Sequence, residues 1–282
     1  MDRHRQRFRV LSMCRVLGVS ASGYYAWRRR PESARAQRHR RLGSLIQASF
    51  RNSRATYGAR RIRHDLADEG HRVGRHTVGR LMKGLGLEPR TVRRYRVTTD
   101  SRHTIAAPNH LKQDFRPQRP NQRWASDITF IPTRQGWLYL SVVIDLYSRA
   151  VVGWSMDRRL KRSLVVDALK MALQQRSPRA LELVHSDQGS QYTAAEFQNL
   201  VRAQGARCSM SRKGSCWDNA VAESFFHTLK TELVACEDYR TRQSARLSVF
   251  QYIEGFYNRQ RRHSFAGYKA PLAFELAYEA DS

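Results

Sequence analysis

Three acidic residues stand in three different kinds of local sequence, and this combination constrains the fold more than any other feature of the chain. Asp127 lies in residues 124–132, where polar and apolar side chains alternate as in a β-strand. Asp187 follows the short apolar run 181–185, and Glu223 lies in a stretch with helical periodicity. A fold that uses all three must combine strands with helices. The sequence therefore predicts an α/β domain.

The order of the remaining elements predicts a mixed sheet flanked by helices. Two short turns, one of them at Gly136, join residues 124–132, 137–146 and 149–156, which predicts three strands in an antiparallel meander. Strands and helices then alternate, as expected of an α/β sheet. The later predicted elements are helix 163–175, strand 181–185, helix 194–203, strand 207–210, and helices 219–234 and 241–257.

The positive charge is concentrated in the first half of the chain. Of 282 residues, 51 are Lys or Arg and 24 are Asp or Glu, a net charge of +27. Residues 1–125 hold 30 of the basic and 8 of the acidic residues, a net of +22, so that residues 126–282 add only +5. Arginines interleaved with apolar residues favour a folded surface that follows a phosphate backbone over a solvated basic tail.

Two classes of protein are excluded by the apolar pattern. No apolar run reaches the roughly 18 residues of a membrane helix. The first 30 residues are studded with Arg, which does not fit a secretory signal. We therefore expect no membrane partner and a cytoplasmic location.

Residues 1–50 form a basic segment with two predicted short helices. The first ends near Gly18, and Ser20 or Ser22 caps the second. Two helices joined by a glycine turn fit a helix-turn-helix, and they fit a helical pair that binds nothing equally well.

Residues 51–96 predict a second helix-turn-helix-like module. Gly70 ends helix 59–68, and helix 76–85 is the one expected to enter the major groove of DNA. The alternative is that its basic residues form the solvated face of a small helical module. The residues expected at the DNA-reading end are Arg75, His76 and Arg80.

A linker and a carboxy-terminal domain complete the predicted organisation. Residues 97–122 show no periodicity and contain three prolines, which predicts a linker. Residues 123–282 then form the α/β domain, closed by a carboxy-terminal helix.

The three carboxylates predict a metal site. Mg²⁺ takes oxygen ligands and keeps open positions for phosphate and water, so carboxylates gathered from separate elements suit it. For Asp127 the alternative is a carboxylate satisfied by Arg or backbone, and for Asp187 it is a turn residue before Gly189. Asp145 precedes a turn and has Arg149 four residues later, so we predict a structural role for it.

The helix that contains Glu223 carries a polar stripe beside an apolar one. Asn219, Glu223, His227 and Lys230 recur every three or four residues. The alternative is a surface pair of Glu223 and His227 with little effect on stability. The preceding loop is basic and contains glycine, like a segment that contacts DNA. The predicted DNA contacts of this region are Arg212, Lys213 and Asn219.

These motifs resemble the OrfB-type transposases of the insertion-sequence-3 family, whose catalytic domain is similar to retroviral integrases. The resemblance covers nearly the whole chain. The residues that carry it are Val16–Trp27, Tyr57-Gly58, Asn121–Trp124, Trp137-Leu-Tyr-Leu, Asp145–Arg149, Val152-Gly-Trp154, Phe256–His263 and Pro271.

The resemblance implies a fold, a site and a set of partners. The fold is ribonuclease-H-like, preceded by a basic, all-helical helix-turn-helix region. Asp127, Asp187 and Glu223 match the family's Asp-Asp-Glu triad, which binds Mg²⁺, with Mn²⁺ as a substitute. Lys230 matches a basic position that contacts the transposon end. The implied partners are double-stranded DNA of transposon ends and target, further copies of the chain on DNA, and an upstream-frame helix-turn-helix and leucine-zipper segment joined by frameshifting.

The resemblance predicts a bacterial, nucleoid-associated DNA transposase that cuts transposon ends and transfers the freed 3′-hydroxyl into target DNA. Two rival functions remain at this point. A regulator that only occupies transposon ends suits the basic first half but gives no reason for the three carboxylates. A general ribonuclease-H-like nuclease shares the carboxylates but needs no helical DNA-docking modules.

Overall fold

The first third of the chain is helical. The computed structural model describes residues 1–90, 107–212 and 216–281. Ser20 caps the second helix by accepting a hydrogen bond from the Gly23 N–H at 3.0 Å, and Gly18 ends the first turn with φ +65°, as predicted. The helices are α1 (Val10–Val16), α2 (Ala21–Arg29), α3 (Ala34–Asn52), α4 (Ala59–Asp68) and α5 (Arg75–Gly84).

One mixed sheet forms the centre of the second part. Its strands are β1 (Arg123–Ile131), β2 (Leu138–Asp145), β3 (Val151–Asp157), β4 (Leu183–Ser186) and β5 (Arg207–Met210), in the spatial order β3-β2-β1-β4-β5. The first three strands pair antiparallel, whereas β4 lies parallel to β1 and β5 parallel to β4. The predicted meander and mixed sheet are confirmed, and the order is that of a ribonuclease-H-like fold.

Helices cover both faces of this sheet. Val143 of β2 points to one face and packs with α6 and α7, whereas Val142 points to the other and packs with α8 and the segment after it. A π-helical turn, Gln251–Tyr257, continues α9, where the sequence predicted one continuous helix. The helices are α6 (Arg162–Arg176), α7 (Ala195–Ala203), α8 (Ala220–Glu232), α9 (Arg242–Phe250) and α10 (Pro271–Asp281).

The helical module shares a hydrophobic core with the carboxy-terminal part of the chain. Ile62 of α4 and Tyr57 belong to the same buried cluster as Tyr252 and Phe256. Polar contacts join the same surfaces, because the Tyr57 hydroxyl donates to the Gln260 carbonyl at 3.0 Å and accepts from the Arg262 N–H at 2.7 Å. The DNA-docking module predicted from the sequence is therefore packed directly on the sheet domain.

The predicted linker packs against the sheet domain wherever the structure describes it. Residues 97–106 lie outside the described residues. Leu111 is buried, and its N–H donates to Ser209 Oγ of β5 at 3.1 Å. The predicted boundary at residue 50 falls inside α3, whose Ile46 and Phe50 pack in the core of the helical module. Residues 107–122 are thus a packed segment without regular structure.

None of the helices in the described ranges combines the length and the apolar character that crossing a membrane requires.

Candidate active site

Strand register brings Asp127 and Asp187 side by side. In the parallel pair of β1 and β4, Ala125 is aligned with His185. Asp127, inside β1, and Asp187, the first residue after β4, each lie two residues beyond this pair, and they are close enough for the charge of Asp187 to act on Asp127. The ends of neighbouring parallel strands are where α/β sheets bind ligands. The sequence placed Asp187 at such an end, and the pairing of β1 with β4 adds Asp127 to it.

Both aspartates are held by short-range backbone contacts. Asp127 Oδ1 accepts a hydrogen bond from the Ile128 N–H at 2.8 Å, and Asp187 Oδ1 accepts one from the Gly189 N–H at 2.9 Å. Burial raises the pKa of Asp127 well above its ordinary value, and the nearby charges of Asp187 and Glu223 raise it further. Burial also raises the pKa of Asp187. Two carboxylates that repel each other in a shielded place are a ready site for a cation.

Helix α8 presents Glu223 and Lys230 towards Asp127. The apolar side of α8, which includes Phe225 and Leu229, packs on the sheet and leaves Glu223 exposed at its edge. Partial burial of the carboxyl raises the pKa of Glu223. The charge of Lys230 acts in the opposite direction on Asp127 and lowers its pKa. Two members of the predicted polar stripe, Glu223 and Lys230, therefore lie close to Asp127.

The buried carboxylate of Asp218 anchors the turn that leads into α8. It accepts hydrogen bonds from the side-chain amides of Asn109 at 2.9 Å and Gln113 at 3.0 Å. It also accepts from the backbone N–H and the guanidinium of Arg212. Although burial alone would raise the pKa of Asp218, these donors and the charge of Arg212 lower it far below its ordinary value. The sequence analysis did not single out Asp218.

The predicted DNA contacts before α8 divide into three cases. The Arg212 side chain is exposed but is already paired with Asp218, Nε to Oδ2 at 3.1 Å. Lys213 lies outside the described residues. Asn219 is buried, and its Nδ2 donates to the Ser126 carbonyl at 3.4 Å. A direct DNA contact does not fit this position of Asn219, because its amide is turned into the protein towards β1.

Tyr192 is a further residue beside the carboxylates that the sequence analysis did not single out. It is buried, and its hydroxyl lies 3.1 Å from Ser126 Oγ, next to Asp127. Burial and the charges of Asp127 and Asp187 raise the pKa of this tyrosine well above its ordinary value, so it stays a neutral hydroxyl. The path of the chain after β4 brings Tyr192 close to both aspartates, and no local sequence pattern indicates that path.

The donor set fits a hard divalent cation. Asp127, Asp187 and Glu223 offer only oxygen ligands, which Mg²⁺ and Mn²⁺ prefer. A cation would relieve the repulsion that raises the pKa of Asp127. Within the described ranges, no three His, Cys, Asp or Glu side chains stand close enough together to hold a metal as they are. Ligation by all three therefore requires side-chain movement, which Glu223, exposed on its helix, has room to make.

Asp145 serves as the structural contrast. It is fully buried, and its carboxylate accepts hydrogen bonds from the backbone N–H groups of Asn121, Tyr147 and Ser148. The predicted structural role is confirmed, but the donors differ from those expected. The guanidinium of Arg149 donates instead to the Phe115 carbonyl at 3.0 Å.

A basic surface surrounds the helical module. The residues predicted at its DNA-reading end are exposed on α5, as expected. Helix α3 adds basic residues that the sequence analysis did not assign, because they lie outside the predicted helix pair. Arg35, Arg38 and Arg41 of α3 line two adjoining depressions together with Arg72 of the turn after α4.

Models of known protein families match both parts of the chain. An HTH-like domain matches residues 37–95. Two integrase core domain models match residues 117–216 and 204–271. The first of these begins inside the packed segment before β1, and the HTH-like match includes most of α3, in agreement with the packing described above.

Relatives with similar sequences cover nearly the whole chain. The transposase InsF for insertion sequence IS3A of Escherichia coli K12 is 43% identical over 278 residues, which are 98% of this chain and 96% of that protein. The insertion element IS600 uncharacterized 31 kDa protein of Shigella sonnei is 44% identical over 94% of this chain and 98% of its own length. Among solved structures, a chain of the simian T-cell lymphotropic virus intasome in complex with PP2A regulatory subunit B56 gamma is 17% identical, covering 62% of this chain and 60% of its own, with a TM-score of 0.48. From the family models and the two sequence relatives together, the chain belongs to the insertion-sequence-3 family of transposases.

Proposed function

We propose that this transposase cuts DNA at the ends of its element and transfers the freed 3′-hydroxyl into target DNA, with Asp127, Asp187 and Glu223 as the ligands of Mg²⁺. The observation that carries the proposal is the position of Asp127 on β1 beside Asp187, which directly follows the parallel strand β4, with Glu223 close enough to raise the pKa of Asp127. The charges of Asp187 and Glu223 both act against the ionised form of Asp127, and a bound cation would offset this repulsion. Mn²⁺ suits the same ligands.

The proposed reaction has two phosphoryl-transfer steps. In the first, the oxygen of a water molecule bonds to phosphorus at the element's end, the bond from phosphorus to the 3′ oxygen breaks, and that oxygen takes up a proton. In the second, the resulting 3′-hydroxyl bonds to a target phosphorus and displaces the target's own 3′ oxygen. Bound Mg²⁺ would supply positive charge to the attacking and leaving oxygens.

The protein's own contributions are orientation and charge. Asp127 lies on the central strand β1 and Asp187 directly after β4, while Glu223 lies on a helix anchored by Asp218. Lys230 places a positive charge beside the carboxylates, where the DNA phosphate backbone would pass. Arg75, His76 and Arg80 would hold the double-stranded end through the helical module. A helix-turn-helix and leucine-zipper segment from the upstream frame, and further copies of the chain, would complete the assembly on DNA.

The test is a cleavage and joining assay with labelled duplexes that carry the element's end, in Mg²⁺, with and without the upstream segment. Glu223→Gln keeps the size of the side chain but removes its charge. We expect this variant to bind the duplex like the wild type and to lose at least about 10³-fold in cleavage rate, in line with removal of a group that stabilises transition-state charge. Glu196→Gln, at an exposed position of α7, is the matched control.

Each outcome separates the candidate functions. Cleavage and joining by the wild type and the control, both lost in Glu223→Gln, support the proposal. Substantial cleavage by Glu223→Gln would overturn the assignment of the carboxylates. Hydrolysis that never leads to joining would indicate a general nuclease. End binding without cleavage under any condition would indicate a regulator.

A further inference from the structure

Two large aromatic side chains lie exposed beside each other next to the candidate active site. Phe130, near the end of β1, is 45% exposed, and Trp137, just before β2, is 49% exposed. Their ring centres are 4.9 Å apart with planes at 75°, an edge-to-face pair. Phe130 is aligned with Tyr139 across the hairpin, so Trp137 stands diagonally opposite Phe130 on the same face. Half of each ring is left open to a ligand.

The hairpin that presents this pair is fixed in place. The guanidinium of Arg242 donates to the Trp137 carbonyl at 3.0 Å, and its backbone N–H donates to Gln135 Oε1 at 3.0 Å. The Arg134 N–H donates to the Tyr239 carbonyl at 2.9 Å. The turn of the hairpin is thus bonded to the segment between α8 and α9. A surface held in this way can receive a ligand without first being ordered.

The edge of the sheet is open beside this pair. Strand β4 is aligned with β1 only from Arg123 to Ala125, so among the residues that the structure describes no strand pairs on that side with the part of β1 that contains Asp127 and Phe130. The Lys230 ammonium lies 5.0 Å from the centre of the Phe130 ring. The same ammonium favours the ionised form of Asp127. Lys230 therefore lies close to both Phe130 and Asp127, whose side chains leave β1 on opposite faces at this edge of the sheet.

These features point to one kind of ligand. An exposed aromatic ring beside a cation matches the two parts of a nucleotide, a base that stacks and a phosphate that carries negative charge. A paired base in a duplex cannot offer its face to a side chain, whereas an unpaired base can. We propose that Phe130 and Trp137 form a stacking platform for one unpaired nucleobase of the DNA strand whose phosphate enters the site. This inference rests on the proposed function, since it needs DNA at the carboxylates.

The platform has a chemical purpose in the proposed reaction. Drawing one base out of a duplex frees the backbone beside it to change direction, at the cost of pairing and stacking. Stacking on an aromatic side chain returns part of that free energy. The platform would therefore hold the strand with its phosphate towards Asp127 and Asp187.

The experiment is a binding cycle that combines a change in the protein with a change in the DNA. Duplex ends carry 2-aminopurine, whose fluorescence reports stacking, at successive positions around the cut, or an abasic nucleotide at the same positions. For the wild type we expect one position whose fluorescence changes on binding and where loss of the base weakens binding about tenfold. Trp137→Ala and Phe130→Ala should each remove most of that dependence, while Trp137→Phe keeps part of it.

A matched control is available in the same chain. Phe265 is also an exposed aromatic ring with a cation against it, since the Arg149 guanidinium lies 4.0 Å from its centre. Phe265→Ala should keep the full dependence on the base. Thermal unfolding of all variants identifies any that fail to fold. If Trp137→Ala fails to fold, the comparison of Trp137→Phe with the wild type still tests the proposal.

Two results would overturn the proposal. The first is a wild type that binds abasic and intact ends equally at every position. The second is a Trp137→Ala variant whose binding still depends on the base. If this variant also loses self-association in sedimentation, the aromatic pair belongs to a contact between copies of the chain. Failure of the proposed function is recognised separately, because it appears as absence of Mg²⁺-dependent cutting and joining by the wild type, whatever the binding cycle gives.

Discussion

At the scale of single residues, Asp127 and Asp145 differ in their surroundings, and this difference separates a candidate metal ligand from a structural carboxylate. Both lie on central strands, and burial raises the pKa of both. Asp145 is surrounded by backbone N–H donors, so its charge is used to close a turn. Asp127 accepts one such bond, from Ile128, and otherwise faces further carboxylates. From the sequence, Asp145 was given a structural role because Arg149 follows it by four residues. The role is right, but the Arg149 guanidinium donates to the Phe115 carbonyl and not to the carboxylate of Asp145.

Asp145 gives a prediction on pH. Burial raises the pKa of Asp145 to about 6, so the folded chain holds this proton more tightly than the unfolded chain does. The tighter binding of this proton stabilises the folded chain. The stabilisation is fully present below the ordinary pKa of an aspartic acid and is lost as the pH rises through 6. We expect the free energy of unfolding to fall by about 1–3 kcal/mol between pH 4 and pH 7 from this group.

The comparison with Asp145→Asn measures that contribution. The variant cannot ionise at this position, so its unfolding free energy should depend less on pH over this interval, even if it is less stable throughout because one acceptor is lost. The measurement is chemical denaturation at a series of pH values. An equal slope for wild type and Asp145→Asn would contradict the assignment.

At the scale of elements, helix α8 is fixed at both ends. Asp218 ties its entry to the segment before β1 and to Arg212. At its last residue, the buried carboxylate of Glu232 binds the Arg261 guanidinium through two bonds of 2.7 and 2.8 Å and accepts a third from the Tyr252 hydroxyl. The helix that presents Glu223 to the site therefore has little freedom to move as a whole.

Removal of the Glu232 charge should be costly. In Glu232→Gln the buried Arg261 guanidinium loses its counter-ion, and breaking a buried pair on one side costs about 3–5 kcal/mol. Denaturant unfolding measures the loss. Glu237→Gln, at an exposed position shortly after α8, should change the unfolding free energy by less than about 0.5 kcal/mol.

A double variant separates the pair from the packing around it. Replacing both partners with Met removes both charges of the pair and leaves Arg61, 3.8 Å from Glu232 in the wild type, as the one cation that loses a counter-ion. Glu232→Met with Arg261→Met should therefore be more stable than Glu232→Met alone, which leaves both arginines unpaired. A double variant as unstable as the sum of the two single ones would show that the two charges do not depend on each other.

The elements that the sequence predicted are those with a clear repeat. The strands β1 to β3 and helices α4 to α8 follow alternating or helical patterns, and their bounds agree with the predictions within a few residues. Helix α3 was missed because its first half is rich in arginine and its apolar residues, Leu42, Ile46 and Phe50, come only later. Helix α10 was missed although Pro271 at its first position is a common start of a helix.

The candidate site was predictable only in part, because local sequence patterns do not show which distant strands pair with each other. The sequence placed Asp187 after a strand and Glu223 on a helix edge. It did not show that β4 lies against β1, which is what aligns Asp187 with Asp127. Burial of Asn219 against β1 is equally a matter of how α8 packs on the sheet.

At the scale of the whole molecule, the helical module and the sheet domain are joined by charged contacts as well as by the shared core. Arg262 pairs with Asp65 of α4 at 2.5 Å, and its guanidinium also binds Asp68. The rings of His64 and Tyr268 stack with centres 4.1 Å apart. A duplex bound to α5 would thus be held in a defined relation to the carboxylates. The change from helical to alternating patterns and the distribution of charge predicted two domains along the sequence. Only the contacts in the structure show that the helical module packs on the sheet domain.

The charge of the helical module predicts how binding depends on salt. Each Lys or Arg that contacts a phosphate contributes about one to the slope of log affinity against log salt concentration. We expect Arg75→Ala and Arg80→Ala each to lower that slope by about one in titrations of an end duplex. Arg179→Ala, at an exposed position after α6, should leave it unchanged. An unchanged slope for both α5 variants would remove this helix from the DNA-binding surface.

The most direct test of the central claim is anomalous scattering from Mn²⁺ in crystals of the full chain bound to an end duplex. We expect a peak with carboxylate oxygens of Asp127 and Asp187 as ligands, joined by Glu223 after its side chain turns towards them. The same crystals of Glu223→Gln should keep the DNA and show a weaker peak. Ordered carboxylates with no peak between them, or a peak held only by other residues, would contradict the assignment of these three residues as the metal site of the transposase.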